Sequence, residues 1–185
     1  VVINWDATTK TISYTVDSIM AGSYRNDSLV TKHFGGASKV YFGYTASTGG
    51  STNDQRIRID NFCSDLPLEP DLDGDRIADP DDLDDDNDGI YDCMEKGLSD
   101  TTSIDQIFKL NGVATTIKDS TKVVQLTPDS TNKSGQMWSY GKVDFNNSFT
   151  LNFQAYLGSN DAGADGIATV FHNDSLGVNA KGTSG

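Results

Sequence analysis

An all-β fold is what the 185-residue sequence predicts, from three observations. Short stretches alternate apolar and polar residues with a period of two. Between them Gly, Ser, Thr, Asn and Asp are abundant, which suits strands joined by polar turns. No long amphipathic helical pattern occurs. Hydrophobic residues make up only 36% of the chain, low for a single well-filled core, so the length accommodates one domain or two small ones.

The strands are read in order. Val1–Trp5 and Thr11–Val16 flank the turn formers Asp6-Ala7-Thr8-Thr9, the pattern of a hairpin. Lys39–Tyr44 and Gln55–Phe62 follow, the second placing Ile57 and Ile59 opposite Arg56, Arg58 and Asp60. The stretch Thr45–Ser51 between them reads as a polar loop containing Gly49 and Gly50. Val123–Leu126 is a short strand, and Phe149–Tyr156 puts Phe149, Leu151, Phe153 and Ala155 on one face. Gly166–Phe171 reads as a buried strand.

Charge divides the chain into three. The net charge is −13, from 27 acidic and 14 basic residues. Fifteen of those acidic residues, but only Arg76 and Lys96 among the basic ones, lie between Ser64 and Asp100, so the whole imbalance is local. The expected organisation is therefore residues 1–62, an acidic linker over 63–100 with too little apolar content for a conventional core, and residues 101–185. A neutral remainder lacks the basic face that nucleic acid requires. No run of 18 apolar residues exists to insert into a membrane. The chain opens directly on an apolar strand with no leader-like segment, which reads as a processed or excised piece.

Cys63 and Cys93 bracket the acidic stretch. A disulfide between them would close a loop of about 30 residues and stabilise by roughly 3–4 kcal/mol, in an oxidising, extracytoplasmic setting. The alternative is two unrelated buried thiols. Zinc is a poor fit, because no His or third Cys lies nearby.

Within the linker one pattern occurs twice, 13 positions apart. The first copy has Asp71, Asp73, Asp75, Asp79 and Asp82; the second has Asp84, Asp86, Asp88, Asp92 and Glu95. Each set falls at relative positions 1, 3, 5, 9 and 12, with Ile77 and Ile90 at position 7 to offer a backbone carbonyl. Ca2+ takes six to eight oxygen ligands, and this spacing is similar to the ligand rhythm of an EF-hand loop. Gly89 stands at position 6 of the second copy, where a sharp turn is wanted; Arg76 stands there in the first. Without a counter-ion so many carboxylates would repel strongly. The alternative is a solvated acidic spacer. Over residues 69–95 the stretch resembles thrombospondin type 3 repeats of bacterial surface proteins, which implies a calcium-wrapped rod with almost no core.

The flanks resemble bacterial L-type (legume-like) lectins. In the second flank the resemblance rests on Gly163–Ala168 with Phe171-His172-Asn173-Asp174, and on Val123–Pro128 and Ser134–Trp138, which fit the family's opening strands. In the first, Val40–Gly50 and Gln55–Phe62 fit its closing strands. The resemblance implies concanavalin-like β-sandwich portions flanking a coreless calcium-binding linker. The opening and closing strands stand in reversed order. Three arrangements account for this: a tandem array, a circularly permuted unit in which the flanks pack on each other, or a filament whose neighbours complete each sandwich.

The resemblance also implies a sugar site. Asp165, after a cis Ala164–Asp165 bond and before Gly166, takes the position of the family's sugar-binding aspartate, and Gly49 and Gly50 match the loop that offers backbone groups to the same sugar. In a tandem array these belong to different domains; the alternative role for all four is turn formation. His33 and His172 have no nucleophile in a recognisable motif, His172 reading as a strand-end residue. No strand carries two acidic residues on one face for glycoside hydrolysis. The expectation is thus a non-enzymatic piece of a secreted or cell-surface adhesin that binds glycans, or alternatively a structural repeat in an extracellular filament of neighbouring copies.

Overall fold

The computed structural model describes residues 1–60, 103–118, 120–160, 162, 163 and 165–181. Twelve strands occur among these: β1 (Val2–Asp6), β2 (Thr11–Val16), β3 (Ile19–Arg25), β4 (Lys39–Thr48), β5 (Gln55–Arg58), β6 (Phe108–Gly112), β7 (Thr115–Thr116), β8 (Val123–Thr127), β9 (Lys133–Asp144), β10 (Phe149–Asn152), β11 (Gln154–Tyr156) and β12 (Gly166–His172). Two short helices, α1 (Leu29–His33) and α2 (Ile104–Ile107), and a 3-10 turn at Gly177–Asn179 complete the described elements. The all-β expectation holds.

The expected first hairpin forms. Asp6 Oδ1 accepts the backbone N–H groups of Thr8 (2.8 Å) and Thr9 (3.1 Å), which closes the chain onto β2. These bonds, that to Thr9 foremost, hold the Asp6 carboxyl below its ordinary pKa, since they favour the charged form.

Three four-stranded sheets result, in the orders β10-β1-β2-β3, β11-β5-β8-β7 and β12-β4-β9-β6. Every sheet contains strands from both sides of the acidic stretch. β1 pairs antiparallel with β10, with Trp5 opposite Phe149. β5 lies between β8 and β11. β4 lies between β9 and β12. Of the arrangements open to the sequence, this pairing is the one in which the two flanks pack on each other.

The stretch expected as one strand, Phe149–Tyr156, is broken at Phe153. There the Phe153 N–H donates to the Val1 carbonyl (3.0 Å) and the Val1 nitrogen donates to the Phe153 carbonyl (2.8 Å). The break lets one chain segment pair first with β1 and then with β5, so the first two sheets adjoin. It also turns Ala155 out to solvent, whereas Leu151 and Phe153 are buried as expected.

The third sheet covers the other two. Its inner face carries Val40, Phe42, Tyr44 and Ala46 from β4, all buried. Tyr44 meets Phe153 across the layers at a centroid distance of 4.7 Å, and Phe171 meets Phe149 at 5.9 Å. Trp5 packs on Phe145 at 4.9 Å and donates its Nε1–H to the Phe145 carbonyl at 3.0 Å. Tilted and edge-on contacts of this kind add about 0.5–1.5 kcal/mol each beyond area burial.

Two expectations need correction. The strand expected to end at Tyr44 continues to Thr48, because Ala46 and Thr48 keep the buried alternation of Phe42 and Tyr44. Gly166–Phe171 is not a fully buried strand: β12 is the edge of its sheet, and none of its residues is fully buried. β3, β6, β7, α1 and α2 are not foreseen from the sequence. β3 is exposed along most of its length, so no buried face marks it. The calcium ligands from Asp71 to Glu95, and Cys63 and Cys93, lie outside the described residues.

Candidate sugar-binding face

The outward face of the third sheet is built by alternation. On β4, Tyr41, Gly43, Thr45 and Ser47 point away from the core that Phe42, Tyr44 and Ala46 enter. Their neighbours on β12 are His172, Val170, Ala168 and Gly166, in that pairing. On β9, Trp138, Gln136 and Ser134 lie opposite Gly43, Thr45 and Ser47.

The two ends of this face differ. At the Tyr41 end it is aromatic and covered. His172 lies 4.4 Å from Trp138 and 5.6 Å from Tyr41, ring centroid to ring centroid. Trp138 Nε1 donates to the Ala180 carbonyl at 2.7 Å, and Asn111 Nδ2 to the Val178 carbonyl at 2.8 Å, so the segment around the 3-10 turn is strapped over the rings. His172 is the last residue of β12, as expected. Its Nδ1 accepts the Asp174 N–H at 3.1 Å, which puts the ring proton on Nε2. Burial lowers its pKa below the ordinary value, with Asp174 opposing.

At the Ser47 end the face is polar and open. Thr45, Ser47, Ser134, Gln136, Asp165, Gly166 and Ala168 line a bowl of about 340 Å3, hollowed because most of these side chains are small. Asp165 stands at its lip, fixed twice to the same residue. Its N–H donates to the Ser47 carbonyl at 3.1 Å, and its Oδ2 accepts the Ser47 hydroxyl at 3.1 Å. Among the described residues Asp165 is the only charged group lining the bowl.

Three loops gather around this end. Gly49 and Gly50 follow directly from β4, with open space where a side chain would stand. The Gly49 carbonyl accepts the Asn132 N–H at 3.2 Å, and Thr48 Oγ1 donates to the Ser130 carbonyl at 2.6 Å. The loop leading to Asp165 is clipped to the residues after Gly50. Asn53 Nδ2 donates to the Asn160 carbonyl at 3.2 Å, and Asn160 Nδ2 to the Thr52 carbonyl at 3.5 Å. Thr52 in turn donates its hydroxyl to Asp129.

The fold thus brings Asp165, Gly166, Gly49 and Gly50 to one end of one sheet, although more than half the chain separates the two pairs. Ser47, Ser134, Gln136 and Thr45 were not singled out from the sequence. The alternation Tyr41-Gly43-Thr45-Ser47 against Phe42-Tyr44-Ala46 carried the signal for Thr45 and Ser47. Ser134 and Gln136 stand in a stretch recognised only as strand. Among the described residues no group of three His, Cys, Asp or Glu side chains could hold a metal ion.

Residues 100–182 match the profile of the legume-like lectin family, which supports a lectin domain there. The chain is also similar to the pesticidal crystal protein Cry22Aa of Bacillus thuringiensis, at 36% identity over 88 residues. That similarity takes in 47% of this chain and 12% of the relative, so the chain spans about an eighth of the length of the protein it matches.

Proposed function

We propose that this chain is a non-catalytic carbohydrate-binding module, with its sugar site in the polar bowl at the Ser47 end of the third sheet. The observation that carries this reading is Asp165. Its backbone and carboxylate are both anchored to Ser47, beside the open backbone of Gly49–Gly50. A fixed carboxylate accepts hydroxyl donors without paying the ordering cost of a free side chain, and glycines let a ring approach the main chain. The match of residues 100–182 to lectins points the same way. The wider setting belongs to the same reading: a secreted or surface-bound adhesin, with Ca2+ held by the two Asp71–Asp82 and Asp84–Glu95 sets of a thrombospondin type 3-like linker and a Cys63–Cys93 disulfide. Its support is the ligand spacing and the placement of the cysteines. The test is binding of the intact chain to a broad glycan array, with Asp165→Asn as control. The expected result is binding to a restricted set of sugars that the substitution abolishes; no binding to any sugar at high protein concentration defeats the reading.

A second reading is a structural repeat that assembles with neighbouring copies. It is favoured by the β2–β3 hairpin, where Tyr14, Val16, Ile19, Met20 and Tyr24 are all exposed and β3 is a sheet edge. It requires concentration-dependent self-association that Ile19→Lys with Met20→Lys disperses. A chain that stays monomeric at high concentration removes it.

A further inference from the structure

The bowl contains a hydrogen-bond donor that the lectin resemblance does not assign. Gln136 is buried (2% exposed) and its Nε2 donates to Ser134 Oγ at 2.5 Å. Ser134 Oγ is therefore an acceptor in that bond, and its own proton must point elsewhere. No acceptor takes that proton among the described residues, and Ser134 lines the bowl. Across the sheet its pairing partner is Ser47, whose hydroxyl proton is already committed to Asp165 Oδ2. The two serines thus do opposite things. Ser47 commits its donor to the carboxylate; Ser134, with a lone pair engaged by Gln136, has no acceptor for its own proton among the described residues. Asp165, exposed at the lip, keeps its remaining acceptor capacity.

We propose that Ser134, oriented by Gln136, is a specificity-determining donor that works with Asp165 as a donor–acceptor pair for two neighbouring hydroxyls of one uncharged sugar ring. The inference rests on the sugar-binding reading above. A hydroxyl of a sugar both donates and accepts, so one that gives its proton to Asp165 and a neighbour that receives one from Ser134 satisfy both protein groups. The charge of Asp165, with no cation lining the bowl among the described residues, disfavours an acidic sugar. The volume of about 340 Å3 suits a single ring held edge-on rather than a longer stretch of chain. Gln136 touches no ligand in this scheme and is a positioning residue.

The test uses the intact chain and the methyl glycosides of mannose, glucose, galactose and glucuronic acid, titrated by calorimetry. The wild type should bind at least one neutral glycoside and bind the glucuronide roughly 10-fold or more weakly. Ser134→Ala should weaken the neutral sugar roughly 3- to 10-fold, the effect of one lost neutral hydrogen bond. Gln136→Leu should weaken it to a similar degree, with no further loss when combined with Ser134→Ala, because both remove the same donor. A purely structural role for Gln136 would lower the melting temperature and give additive losses. If Asp165→Asn abolishes binding while folded Ser134→Ala binds as the wild type does, this proposal falls and the sugar-site reading stands. If the wild type binds none of the sugars here or on the array, both fall.

Discussion

Asn53 and Asn160 are 107 positions apart, and the amide of the first donates to the carbonyl of the second at 3.2 Å. The contact is close because Gly158 has no side chain. A Cβ there would stand 1.7 Å from Asn53 Oδ1, and the residue has φ +82°. Gly158→Ala therefore carries two penalties, a left-handed backbone of about 1–2 kcal/mol and a clash with Asn53. We expect a total loss of about 2–3 kcal/mol by urea unfolding. Asn53→Ala alone should cost about 1 kcal/mol. Combined, the two should cost less than their sum, since Asn53→Ala removes the clashing atom. Additive losses would show that Asn53 is not what keeps position 158 a glycine.

The shared sheets make a prediction about the two flanks. Phe42 from the first is fully buried against Phe108 (5.6 Å) and Phe171 (6.5 Å) from the second. Cutting the chain at a protease site placed within 61–102, under reducing conditions, should leave the two halves co-eluting as one particle. Adding Phe42→Ala, at a cost of about 3–5 kcal/mol, should let the cut halves separate at low concentration. Free halves from the cut wild type would mean that the inter-flank pairing does not hold them together.

Much of this architecture was legible in the sequence where a strand had one wet face and one dry face. Ile57 and Ile59 against Arg56 and Arg58 located β5, and Asp6 as a turn acceptor located the first hairpin. The reading failed where that contrast is lost. β3 has almost no buried side, and the inner residues of β12 are only half covered because it is an edge. The last residues of β4 read as loop in the sequence because Thr45 and Ser47 are small and polar, which is what hollows the bowl. For the site, the resemblance to legume-like lectins reaches Asp165 and the glycines, but nothing local in the sequence says that Ser47 holds Asp165. That contact follows from the pairing of β12 with β4, which brings together residues 118 positions apart.

His172 should make stability pH-dependent. Its pKa is lowered from 6.5, chiefly by burial against Trp138 and Tyr41. The unfolded chain therefore binds this proton more readily than the folded one. The stability it contributes is fully present above about pH 6.5 and is lost as pH falls through the lower folded value. Protonation also puts a hydrogen on Nδ1, which now accepts the Asp174 N–H at 3.1 Å. The melting temperature should fall on going from pH 7.5 to 5, and His172→Gln, although less stable throughout, should show a shallower fall over that range. Parallel profiles for the two proteins would remove His172 as the source.

The acidic stretch supplies the last prediction. The two sets, Asp71 to Asp82 and Asp84 to Glu95, each offer five carboxylates at the same relative positions, with a peptide carbonyl at Ile77 or Ile90. If each holds one Ca2+, calorimetry should count two ions per chain, with affinities on the order of 10⁻⁴–10⁻³ M if the sites resemble extracellular modules. Asp84→Ala removes the first ligand of the second set, where Gly89 already suits the turn, and should lower the count to one. Chelation leaves a charge density that only Arg76 and Lys96 oppose, so mutual repulsion should extend the segment and expose it. Limited proteolysis with a chelator present should then cut within 69–95 before it cuts the sandwich, and calcium in excess should suppress that cut. Cleavage patterns and circular dichroism that ignore both chelator and calcium would leave the stretch an acidic spacer.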